Sequence, residues 1–143
     1  MASANHTTSS EFPGLDRAEP VEIWKARKFI DKYFHEELSL TKIATPLNIT
    51  ANYLSEKFKR ITGVRFVDYV ARTRIEKARH LLQNSNLRIS EIAFAVGFQS
   101  LSQFNRVFKK LTGKSPTAYR AARKTAQTSL IGNSANARQE YFP

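Results

Sequence analysis

The sequence predicts an all-α fold of seven helices. Three observations carry this. From about residue 21 to residue 123 apolar residues return every three or four positions, and no segment alternates as a strand would. Capping residues and glycines punctuate the run at helix-like intervals. Finally, the chain repeats itself: "FKRITGVRFVDY" (Phe58 to Tyr69) returns as "FKKLTGKSPTAY" (Phe108 to Tyr119), a constant offset of 50 residues.

Taken in order, residues 1–20 are rich in Ser, Thr, Asn and Ala, with Pro13-Gly14 and Pro20 as breakers, and read as a flexible N-terminal arm. Ile23, Ala26, Phe29, Ile30, Tyr33 and Phe34 give a first amphipathic helix. Leu40, Ile43, Ala44 and Leu47 share one face of a short second helix, and Asn48 stands where a tight turn needs a left-handed residue. Thr50 caps a third helix carrying Leu54, Phe58 and Ile61, which Gly63 ends. Phe66, Tyr69, Val70, Ile75, Ala78, Leu81 and Leu82 mark a longer fourth helix. Ile89, Ile92, Ala93 and Val96 form a short fifth, followed by Gly97-Phe98. The sixth runs from about Ser100 to Thr112, and Ser115-Pro116 opens a seventh with a cap and a first-turn proline. The stretch 124–143 lacks a sustained period and reads as a C-terminal tail.

The repeat reaches upstream of the quoted segments. Leu40, Ile43, Ala44 and Leu47 match Ile89, Ile92, Ala93 and Val96 at an offset of 49, and Asn48 matches Gly97. After the turn the offset is 50, pairing Thr50, Leu54, Phe58 and Gly63 with Ser100, Phe104, Phe108 and Gly113. Each copy is a short helix, a turn, then a capped longer helix, which is a helix-turn-helix pattern. A solenoid is the ordinary alternative, but solenoids need three or more units and this chain has two. Lys and Arg number 23 against 12 Asp and Glu, a formal net charge of +11, which favours a polyanionic partner.

"ISEIAFAVGFQSLSQFNRVFKKLTGKSPTAYR" resembles the signature of the AraC/XylS transcription regulators: an I-x-E-I-A core, G-F at the turn, S-x-F-x-R-x-F-K in the recognition helix, then G-x-S-P-x-x-Y-R. Upstream, "YLS", "FKRITG" and "RIEKARHLL" fit the family's first half, so the resemblance spans about Val21 to Arg123. It implies two helix-turn-helix subdomains, residues 21–65 and 85–123, joined by a linker helix over residues 66–84. It also implies a sequence-specific DNA-binding regulator, an activator by expectation, that places two recognition helices in successive major grooves of an asymmetric promoter site. With no room for a sensor domain, the chain looks like the short MarA/SoxS-like type; a DNA-binding fragment of a larger ligand-sensing regulator is the alternative. RNA polymerase is the implied protein partner, double-stranded DNA the implied ligand, and binding as a monomer the implied stoichiometry. A linker from Phe66 to Leu82 would be roughly 25 Å long, against a groove repeat of ~34 Å, so a bent site or partial engagement of one half is expected.

Helical geometry nominates the readers. In the sixth helix Phe104, Phe108 and Leu111 face one way, and the opposite side carries Ser102, Gln103 and Arg106, with Asn105 on the flank. Arg106 can donate twice to a guanine edge, and Gln103 or Asn105 can pair with adenine. Lys109, Lys110 and Lys114 suit phosphates. The third helix offers Asn52, Ser55 and Glu56 to bases and Lys59 and Arg60 to phosphates. Glu56 stands where the other copy has Arg106, and Pro46 interrupts the second helix, so the first half is expected to bind more weakly or to select a different base. Arg74 is nominated for phosphate; Arg65, Arg72, Lys77 and Arg120 form a wider pool from which a minority would serve. Ser39 and Ser90 are candidate caps of the second and fifth helices.

Other classes find little support. There is no cysteine, hence no disulfide or thiolate chemistry, as suits a reducing cytoplasm, and by the family resemblance the nucleoid. His6, His35 and His80 do not converge, "HEE" lacks zinc spacing, and no phosphate-cradling glycine loop occurs, so no enzyme activity, catalytic residue, metal or cofactor is expected. The start has no apolar leader and no segment is long enough to span a membrane. The remaining rival is a basic helical module that binds an acidic protein.

Overall fold

The computed structural model describes residues 19–134, and among them there are seven α-helices and no strand. The arm expected before residue 19 and the tail expected after residue 134 lie outside the described residues. The chain divides into two compact units between Thr73 and Arg74, within the fourth helix.

The first unit contains α1 (Val21–Tyr33), α2 (Leu40–Ala44), a 3-10 turn (Thr45–Leu47), α3 (Ala51–Thr62) and the beginning of α4 (Phe66–Asn84). Ile23, Ala26 and Ile30, spaced three and four apart on α1, are fully buried. They meet Ile43, Ala44, Leu54, Phe58, Phe66 and Val70 in a single core. Phe58 is its hub, with ring centroids 6.1 Å from Phe66 and 5.2 Å from Tyr69, both edge-on as the ring quadrupoles prefer. Between α2 and α3 the chain reverses at Asn48, whose φ of 63° is left-handed. Thr50 then starts α3 by accepting from the Tyr53 N–H at 3.0 Å.

The second unit contains the remainder of α4, α5 (Ile89–Ala95), α6 (Leu101–Thr112) and α7 (Pro116–Ser134). Its buried residues, among those described, are Ile75, Ala78 and Leu82 from α4, Ile92, Ala93, Val96 and Phe98 around α5, Phe104 and Phe108 from α6, and Pro116 at the start of α7. Phe98, Phe104, Phe108 and Tyr119 form a run of ring contacts at 5.3, 5.5 and 5.4 Å. Ser100 caps α6 on the Gln103 N–H at 3.1 Å, and Ser115 caps α7 on the Ala118 N–H at 3.1 Å.

The repeat is larger than the sequence suggested. Ile23, Ala26 and Ile30 of α1 correspond to Ile75, Ala78 and Leu82 of α4, each 52 residues on. Phe58 against Tyr69 likewise corresponds to Phe108 against Tyr119. The fourth helix therefore closes the first unit with its N-terminal half and opens the second with its C-terminal half. The correspondence extends to hydrogen bonds at the helix ends. Thr62 donates to the Phe58 carbonyl at 2.8 Å and Thr112 to that of Phe108 at 2.8 Å, just before the left-handed Gly63 and Gly113.

Four local expectations change. The second α-helix stops at Ala44, because Pro46 has no N–H to continue it, and Leu47 belongs to the 3-10 turn. Ile61 and Leu111 are 37% and 40% exposed. They share the apolar side of their helices, but both lie in the last turn, one residue before its end, and stay partly uncovered. Ser90 does not cap α5: Arg88 is the N-cap residue, and its N–H donates to Glu91 Oε1 at 2.7 Å. The seventh helix continues to Ser134, into the stretch read as tail, where Lys124, Ala126 and Gln127 are good helix formers without apolar period.

Candidate nucleic-acid interface

The orientation of α6 is set from inside. Phe104 and Phe108 are fully buried, which fixes the helix's rotation and leaves Ser102, Gln103, Asn105, Arg106, Lys109 and Lys110 exposed on the other side. The side chains of Arg106, Lys109 and Lys110 make no ion pair or hydrogen bond among the described residues. Their donors are free for a ligand. Four neutral or guanidinium donors at the N-terminal and middle turns, followed by two ammonium groups in the last turn, can read base edges at one end and hold phosphate at the other.

On α3 the matching residues Asn52, Glu56, Lys59 and Arg60 are exposed, while Ser55 is half-buried. The acid noted at Glu56 is thus on the surface, and it has no described cation partner. Tyr53 and Lys57 differ. Lys57 Nζ donates to Glu22 Oε2 at 2.9 Å and to the Tyr53 hydroxyl at 2.8 Å, tying α3 to α1. The hydrogen bond from Lys57 holds the Glu22 carboxyl below the usual carboxylate range, and the Tyr53 and Glu22 partners raise Lys57.

The nominated phosphate residues divide. Lys59, Arg60, Lys109, Lys110 and Lys114 are exposed. Arg74 is half-buried with its guanidinium 5.9 Å over the Phe98 ring, and desolvation lowers its pKa. It packs the second unit instead of standing free on a face. Arg120, from the wider pool, is also part of the fold. Its Nε donates to the Leu82 carbonyl at 3.1 Å and its Nη2 to that of Ser85 at 3.2 Å, closing the end of α4. Arg65 pairs with Asp68 at 3.3 Å on the surface.

Two further residues escaped sequence reasoning. Arg27 holds Glu19 at 2.7 Å and the Tyr69 hydroxyl, which together raise its pKa. Arg79 Nε donates to the Tyr119 hydroxyl at 3.0 Å. Arg27 and Arg79 are 52 residues apart, as are the core residues beside them, so extending the repeat to α1 was the signal that could have found both. Among the described residues no group of three or more His, Cys, Asp or Glu could hold a metal, and no helix is long and apolar enough to cross a membrane.

Known proteins share this arrangement. A family model described as a helix-turn-helix domain matches residues 43–122. The HTH-type transcriptional regulator YijO of Escherichia coli K12 is 36% identical over 94 residues, covering 66% of this chain and 33% of that protein. The C-terminal domain of AraT, a response regulator from Geobacillus stearothermophilus, superposes with a TM-score of 0.71 at 38% identity, over 76% of this chain and 89% of that one. A Chromobacterium violaceum regulator described as having an AraC-type DNA-binding domain gives 0.67 at 27% identity, over 71% and 91%. The first curated relatives are longer proteins, of which this chain spans between 33% and 48%.

Proposed function

This chain belongs to the AraC-type helix-turn-helix family, and from that premise we propose that it binds a promoter through two unequal halves. In this reading α6 enters a major groove and reads bases with Ser102, Gln103, Asn105 and Arg106, while Lys109, Lys110 and Lys114 hold the flanking phosphates. The first unit presents α3 to the successive groove through Asn52, Ser55 and Glu56, with Lys59 and Arg60 on phosphate. The result is one chain on an asymmetric site without a palindrome.

The observation that carries the reading is the unpaired, exposed face of α6 opposite two fully buried phenylalanines. A surface kept for solvent alone has no need of Gln, Asn and Arg together at base-reading spacing. Selection of bound sequences from a random duplex pool at physiological salt tests it, with Arg106→Ala in parallel. The expected result is a two-part motif of ~20 base pairs that loses preference at one position with the variant. A bound but featureless pool overturns base reading, and no enrichment overturns DNA binding by this chain.

A further inference from the structure

We infer that the first unit carries a site for a small organic anion with an apolar body, in a cleft beside α3. The cleft has a volume of about 540 Å³, within the range that small-molecule sites occupy. Its apolar lining comes from Leu40 and from Val67, which is 58% exposed, while Phe66, a core residue only 6% exposed, adds little. Three cations converge on it: Lys59 and Arg60 from α3, and Arg65 from the residue preceding α4. The side chains of Lys59 and Arg60 make no described ion pair or hydrogen bond, and Arg65 gives Nε to Asp68 while its other N–H groups stay available. Ser55 and Glu56 complete the lining and can accept from a hydroxyl or amide on the ligand.

Comparison of the two copies shows that helix-turn-helix architecture does not require this chemistry. Fifty residues on, the charges of Lys59 and Arg60 persist as Lys109 and Lys110, but Arg65, Phe66 and Val67 become Ser115, Pro116 and Thr117. The second copy thus has no guanidinium, aromatic ring or valine at these three positions, although Ile89 matches Leu40 and Lys114 matches Val64. A phosphate cradle needs donors alone. An apolar wall within reach of the same donors gains free energy only when a ligand brings apolar surface to cover it.

Occupancy has a consequence that rests on the DNA-binding reading. Ser55, Glu56, Lys59 and Arg60 line the cleft and also belong to the DNA face of α3, so the anion and the duplex compete for the first half.

The test uses the full chain and anilinonaphthalene sulfonate, an aromatic body with one sulfonate, followed by fluorescence titration at fixed ionic strength. Wild type is compared with the double variant Arg65→Ser, Val67→Thr, which installs the second copy's residues at two exposed positions, with helicity checked by circular dichroism. One dye per chain is expected, with binding about tenfold weaker in the double variant and displacement by the selected duplex. Equal binding to both proteins overturns the site and assigns the dye to other apolar surface. No dye binding while the duplex is still bound overturns the site and leaves the DNA reading standing. Specific dye binding without any duplex binding supports the site and overturns that reading. Dye retained beside bound duplex overturns the competition.

Discussion

Arg120 shows how a charged residue can belong to the fold instead of the ligand. Its guanidinium meets two carbonyls at the end of α4, groups a helix terminus leaves without partners. Replacing Arg120 with Ala should cost about 1–3 kcal/mol in urea unfolding, and Lys should restore only part, because it lacks the planar fork. The Glu22–Lys57 pair carries a pH signature. The carboxyl is depressed from its ordinary value of 4.5, so its contribution is complete above that value and is lost as pH falls through the lower folded value. Glu22→Gln should therefore flatten the acid limb of stability just below pH 4.5, measured by unfolding at several pH values. A single sequence names such residues but not their partners: Glu22 and Lys57 are 35 positions apart, and only the packing of α1 on α3 brings them to 2.9 Å.

Helices were the easiest features to read, because period, cap and stop are all local. Thr50, Ser100 and Ser115 cap as their positions required, and Asn48, Gly63 and Gly113 adopt the left-handed backbone that their turns demanded. At Gly63 and Gly113 an added Cβ would meet nothing within 4 Å, so the constraint is backbone conformation alone. Gly63→Ala and Gly113→Ala should each cost about 1–2 kcal/mol and nearly the same amount, measured by thermal unfolding. A much larger loss at one of them would mean that packing, not φ, selects glycine there. What escaped the sequence was depth. Whether Ile61 and Leu111 are covered depends on tertiary packing that a helical period does not encode, and α1 resembles the C-terminal half of α4 only in generic residues such as Ile, Ala and Arg. The candidate reading face was legible because Phe104 and Phe108 orient it, whereas the role of Arg74 depended on Phe98, which lies beyond its own helix.

At the scale of the whole chain, a net charge of +11 would favour any polyanion, so charge alone cannot make two halves specific. Specificity must come from where the copies differ, and the sharpest difference is Glu56 against Arg106. An exposed acid on a helix approaching phosphates is repelled unless a base edge donates to it, and cytosine alone of the major-groove edges offers an amino group without an adjacent acceptor on the same base. Two substitutions separate the contributions. Lys59→Ala removes a proposed phosphate contact, and it should lower the slope of log affinity against log salt by about 1 while leaving the selected motif intact. Glu56→Arg copies the second half into the first, and it should change the motif at one position, from cytosine towards guanine, with little change in the preference set by Arg106. If Glu56→Arg instead strengthens every sequence equally and only steepens the salt slope, position 56 faces the backbone. The first unit would then hold the chain on DNA while the second alone chooses the site.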